Sequence, residues 1–273
     1  MKLSEIYKIA DELAPKRLSD EVCQKYGAYD NSGILVDCGK EIDKILFALD
    51  LTVSAIEKAI ELGAQLIVTH HPAIYAKIGA IRVGDMNPLG KKLALCLQNG
   101  ISVLSMHLNL DVAEGGIDES LKEGVLRSVG KSAELDATQA PVLYWDVSQG
   151  GYGRVYSLGE CTLETLLSGM KKTFESERIF AFGDKNKKLY KAASFCGAGG
   201  GDGEAAFAIA NGADVIISSE FKHHVLSLCQ EVGVAVVQMT HYASEYYGFK
   251  KYFEKMSRQV GIECFCFCEQ NLL

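Results

Sequence analysis

No stretch of the 273 residues holds about 18 consecutive apolar positions, so the sequence offers no membrane span. Low-complexity segments are missing and prolines number only four, a composition ordinary for a soluble globular protein. There is no Lys/Arg-rich run and the net charge is −7, which argues against a nucleic-acid binder working by bulk attraction to phosphate. The nine cysteines include no CxxC pair. The opening MKLSEIYKIADELAP reads as an amphipathic helix without the apolar centre of a signal peptide. Free thiols in a reducing cytoplasm are the expectation. Cys264, Cys266 and Cys268 alternate with Phe265 and Phe267, the period of a strand. Their thiols point one way without converging, so strand packing is favoured over a soft metal site.

What is present alternates between β-branched runs and helical stretches. Lys44–Leu51 reads as a buried strand, Val53–Leu62 as a helix stopped by Gly63, and Ala64–Thr69 as the next strand. Pro88 opens a helix through Gln98, Gly100 ends it, and Ile101–Met106 is a strand again. The second half repeats this layout, with strands at Arg154–Leu158, Lys191–Cys196, Asp214–Ser218 and Val234–Met239. Helices are expected near Leu163–Phe174, Glu204–Asn211, Phe221–Val232 and Ala243–Ser257. Two segments echo one another in order: Ala59–Thr69 matches Ala208–Ser218, and Gly100–Met106 matches Gly233–Met239. The fold class expected is α/β, two similar domains built from a duplicated unit, with helices on mostly parallel or mixed sheets. The boundaries expected are 1–128 plus 240–273 for the domain carrying most metal ligands and 129–239 for the other, with a linker around Val129–Pro141.

All six histidines fall in three places: His70-His71, His107, and the late group His223, His224 and His241. Parallel α/β sheets bind ligands beyond the C-terminal ends of their strands, and His70, His71 and His107 stand at such ends. Pro72 stops the strand, so adjacent rings that would otherwise point to opposite faces can splay into one cavity. His107 precedes Asp111 by four residues and His241 precedes Glu245 by four, a spacing that puts imidazole and carboxylate one helical turn apart. His70, His71, Asp111, His241 and Glu245 exceed what one catalytic zinc takes. They suit two ions about 3.5–4 Å apart sharing a bridging carboxylate and water, with Zn, Fe, Mn or Co all compatible. His107 is open between ligand, orienting group and acid/base. His223 and His224 lie about 100° apart on a helix, so at most one faces a site, and His224 is the candidate orienting group or proton shuttle.

The glycine-rich run Cys196–Gly203 follows a strand and precedes a helix, where backbone N–H groups can cradle phosphate. It matches neither GxGxxG nor the Walker spacing, and a tight turn explains it equally. Tyr29–Gly33 reads as a polar turn before a strand.

The stretches YDNSGILV, KILFALDLT, AQLIVTHHPAIY, SMHLNLDVAEGGID, FCGAGGGDGE, ADVIISSEFKHH and THYASE together resemble the NIF-three-like (NGG-one-interacting factor) family. Its bacterial members often carry the name GTP cyclohydrolase 1 type 2 homologue. The resemblance implies two similar α/β domains with a two-metal centre between them, held by residues matching His70, His71, Asp111, His241 and Glu245. It also implies ring-shaped homohexamers. An inserted mid-chain domain found in some members would not fit this length. The family usually has threonine where this chain has Leu108, and a glycine pair where it has Cys196-Gly197. Both departures bear on substrate contacts and spare the five ligands.

The leading expectation is a dinuclear metal hydrolase for a small molecule, a nucleotide if the family name is taken literally. The rival is a non-catalytic metal-binding, metal-delivering or regulatory interaction protein. An open coordination position beside a substrate-sized cavity would separate them.

Overall fold

The computed structural model describes residues 1–84, 86–131 and 140–273. Of the expected linker, 132–139 lie outside the described residues. Contacts divide the chain into two units: Met1–Ala113 with Phe249–Cys268, and Glu114–Gly248 with Glu269–Leu273. Elements below are numbered along the whole chain.

The first unit begins with helices α1 (Leu3–Leu13) and α2 (Lys16–Tyr26), then strands β1 (Gly33–Val36) and β2 (Lys44–Ala48). It continues through α3 (Val53–Leu62), β3 (Leu66–Thr69), α4 (Leu89–Asn99), β4 (Ser102–Ser105) and the short α5 (Leu108–Val112). The end of a long helix, α10 (His241–Val260), and strand β11 (Glu263–Phe267) complete it. The sheet order is β1-β4-β3-β2-β11; β4, β3, β2 and β11 run parallel and β1 antiparallel. Every residue of β3 and β4 is buried, as expected for strands covered on both faces, which read as near-continuous apolar runs. Leu46, Ile67 and Val103 pack against Ile56, Ala59 and Leu93 on one side of the sheet. Phe265 and Phe267 join that core, while Cys264, Cys266 and Cys268 are not joined in disulfides among the described residues. Packing explains the alternation that the sequence shows in β11.

The second unit holds α6 (Ile117–Ser128), β5 (Val142–Val147), β6 (Gly150–Thr162), α7 (Leu163–Thr173), β7 (Phe180–Phe182) and β8 (Lys188–Ser194). Then come α8 (Asp202–Ala210), β9 (Val215–Ser218), α9 (His223–Glu231), β10 (Ala235–Gln238) and the first turns of α10. Its sheet order is β5-β6-β8-β9-β10-β7. Only β8, β9 and β10 are parallel; β5, β6 and β7 are antiparallel additions. The strand expected at Arg154–Leu158 is much longer, because β6 forms a hairpin with β5, pairing Val147 with Gly150.

The two echoes fall on equivalent elements. In each unit three parallel strands alternate with two helices, and an antiparallel strand closes the same edge (β1 beside β4, β7 beside β10). The turns match in detail. Gly63 and Gly212 end α3 and α8 at φ 65° and 72°, and Gly100 and Gly233 take φ 64° and 73°. Left-handed φ at these turns is where glycine carries no Cβ penalty. Ala64 N–H donates to Ala59 O at 2.8 Å, and Ala213 N–H to Ala208 O at 3.0 Å.

Candidate metal centre

In the first unit the site grows from three parallel strand ends. After β3, the N–H groups of His70 and His71 both donate to Leu49 O, at 3.1 and 3.0 Å. Thr69 Oγ1 donates to His71 O at 2.9 Å. The backbone turns before Pro72, and the two rings lie on one side with centroids 4.8 Å apart. His107 follows β4 and brings its ring to 5.2 Å from His70 and 5.7 Å from His71. One ring nitrogen of each of these three histidines lies within 4.8 Å of the others. Asp111, buried in α5, places Oδ1 3.4 Å from His70 Nε2.

Each imidazole is held at Nδ1 by an oxygen. His70 Nδ1 lies 2.8 Å from Met106 O, His71 Nδ1 2.8 Å from Asp50 Oδ1, and His107 Nδ1 2.8 Å from Asp30 Oδ1. A carbonyl or ionised carboxylate only accepts, so Nδ1 donates and Nε2 becomes the ring nitrogen able to bind an ion. Asp30 also accepts from the hydroxyls of Ser19 and Ser32. Burial alone would raise its carboxyl pKa. The hydrogen bonds from His107, Ser19 and Ser32 outweigh that and hold it well below the usual carboxylate range. The polar turn expected at Tyr29–Gly33 thus carries the group that orients His107.

The second unit repeats the device on its own residues. His241 is the first residue of α10, and Glu245, one turn on and 3% exposed, puts Oε1 3.0 Å from His241 Nε2. His241 Nδ1 is held at 2.8 Å by Glu220 Oε1. Glu220 follows β9 in a left-handed conformation, φ 59°, a strained backbone of the kind that clusters at functional sites. The glycine-rich run closes over this pair. Gly197 has φ 60°, and a Cβ built on it would lie 2.5 Å from Glu245 Oε1.

These donors fit a bound cation. In both units a ring nitrogen faces a carboxylate oxygen, an arrangement that needs a proton or a positive ion in between. Three imidazoles this close cannot all be imidazolium cations without mutual repulsion. A set of neutral imidazoles and carboxylates suits Zn, Fe or Mn.

Of the residues singled out by spacing, the structure brings His70, His71, His107 and Asp111 together in one unit, and His241 and Glu245 in the other. His224 is placed elsewhere. It is exposed, its Nε2 lies 2.6 Å from Asp202 Oδ1, and it belongs to no metal-competent group among the described residues. His223 opens α9 and is likewise exposed. Asp50 and Asp30 were not identifiable as orienting groups from sequence, and Glu220 stands out there only through the echo, which sets Ser219-Glu220 where the first unit has His70-His71. Each is a carboxylate two or three residues from a strand, which is no specific signal.

The chain matches the model of the Duf34/NIF3 (NGG1p interacting factor 3) family over residues 1–271, and it belongs to that family. It is 32% identical over 264 residues to the GTP cyclohydrolase 1 type 2 homolog of Clostridium perfringens, covering 95% of this chain and 93% of that one. The protein of the same name from Methanocaldococcus jannaschii is 31% identical, covering 96% and 98%. Among solved structures, reduced HcgD from Methanocaldococcus jannaschii superposes with a TM-score of 0.77 at 30% identity, covering 97% of each chain.

Proposed function

We propose that this member of the Duf34/NIF3 family is a dinuclear metal-dependent hydrolase acting on a small molecule. The observation that carries the reading is the shared Nδ1 arrangement. Four imidazoles in two units are each clamped by an oxygen acceptor, which fixes each ring before any ion arrives and assigns the site chemistry to Nε2, as ligand at His70, His71 and His241 and as proton carrier at His107. In this reading His70, His71, Asp111, His241 and Glu245 hold two divalent ions, Zn, Fe or Mn. Bound there, the ions would supply Lewis-acid activation of water and of the substrate's electrophilic atom. His107 is kept out of the ligand set. With Asp30 clamped ionised against Nδ1, its Nε2 is placed to accept and return a proton, and the Asp30 charge stabilises the imidazolium that forms. The name GTP cyclohydrolase 1 type 2 homolog, borne by the relatives, makes a nucleotide the first substrate class to test.

The test is metal analysis of the purified protein with turnover measured on a panel of nucleotides and phosphoesters. About two transition-metal ions per chain are expected, with His70→Ala losing at least half of the bound metal. A protein with no bound transition metal, or a His70→Ala variant with unchanged content, sinks the reading. The family description, an interacting factor, favours a second one: a metal-bearing regulatory partner. Full metal loading with no turnover on any panel compound would select it. The hexamer implied by resemblance is tested by light scattering, where a mass six times the 29.7 kDa chain is expected.

A further inference from the structure

We infer that the Gly197 peptide is a positioning element that sets where the Glu245 carboxylate lies against His241, and so sets metal affinity in the second unit. The inference rests on the two-ion reading above. The peptide is fixed on both sides. Its N–H donates to Ser244 Oγ at 3.0 Å, and the hydroxyl of Ser244, fully buried, donates to His241 O at 2.7 Å. Its carbonyl accepts from the hydroxyls of Ser218 and Ser219. One residue earlier, Cys196 N–H donates to Asp118 Oδ1 at 3.3 Å. The bare Cα of residue 197 therefore faces the pair at a fixed distance. A Cβ there would fall 2.5 Å from Glu245 Oε1 and 3.3 Å from His241 Nε2, so any side chain displaces the carboxylate oxygen and crowds the imidazole nitrogen beside it. Backbone preference alone does not explain this glycine, because other left-handed glycines in the chain face open space.

The test is calorimetric titration of the metal-stripped full-length protein with Zn²⁺, together with the visible absorption of the Co²⁺-loaded form. Gly212→Ala is the control. Gly212 has φ 72°, but its nearest neighbour is Lys191 Nζ at 3.9 Å, so alanine there brings the same backbone cost without touching a donor. Gly197→Ala is expected to weaken Zn²⁺ binding by about tenfold or more and to alter the Co²⁺ spectrum, while Gly212→Ala leaves both unchanged. Should Gly197→Ala fail to fold, Ser244→Ala, which adds no atoms and removes one anchor of the peptide, is expected to weaken binding about threefold or more. Wild-type affinity and spectrum in Gly197→Ala, or an equal loss in Gly212→Ala, overturns the inference and leaves the two-ion reading standing. If Gly197→Ala does not fold, wild-type affinity in Ser244→Ala does the same. A wild-type protein that takes up no Zn²⁺ overturns both.

Discussion

In the first unit, β2, β3 and β4 run out into Asp50, His70-His71 and His107; in the second, β8, β9 and β10 run out into Gly197, Ser219-Glu220 and His241. By strand register Asp50 stands where Gly197 stands, and His71 stands where Glu220 stands. In the first unit a carboxylate at the first strand end orients an imidazole at the second. In the second, the carboxylate sits at the second strand end and orients an imidazole beyond the third. The vacated position becomes a glycine whose missing side chain makes room for Glu245. One topology supplies equivalent positions, and residue identity alone decides which carry donors, which carry supports and which must be empty.

The largest effect that would break this comparison lies under the second unit's loop. Asp118 accepts from Arg154 at 2.9 Å, from Gly153 N–H and from Cys196 N–H, with both charged side chains buried. Asp118→Ala removes the buried carboxylate partner of Arg154, leaving its guanidinium with Gly151 O and a 3.9 Å approach to Glu119, and should cost about 3 kcal/mol in urea denaturation. Next come the orienting carboxylates. Asp50→Ala and Glu220→Ala should each weaken metal binding about 10- to 100-fold by calorimetry. A loss confined to one unit would end the equivalence argued here.

Asp30 has a smaller effect that depends on pH. Its folded pKa is depressed, so its contribution is present above the unfolded value of about 3.9 and is lost as pH falls through and below it. Wild type should therefore exceed Asp30→Asn in stability at pH 7, with the gap beginning to narrow in chemical denaturation only below about pH 4 and still open at about pH 3. Smallest and most symmetrical, Gly63→Ala and Gly212→Ala should each cost about 1 kcal/mol in thermal melts, as matched turns with φ 65° and 72° require.

The central strands were legible because burial on both faces leaves an uninterrupted apolar run, as in Ile45–Ala48 and Val215–Ser218. The His–x₃–carboxylate pairs were legible because a helical turn is local. Asp30 was not, since it meets His107 across 77 positions of chain, and nothing near YDNSG reveals that partner. Of the antiparallel additions, β5 and β7 were also missed. β5 carries mostly partly exposed residues and β7 is three residues long with its phenylalanines exposed, so neither offers a periodic signal.

The clamped imidazoles have one more consequence, for folding rather than for chemistry. Folding alone brings lone pairs and carboxylates of the same polarity close together, so the metal-free molecule carries a locally frustrated patch at its strand ends. An ion that relieves the repulsion meets rings already immobilised, and its affinity appears directly as resistance to unfolding that grows with the logarithm of free metal. With an ion taken up there, the melting temperature would report the metal supply around the protein.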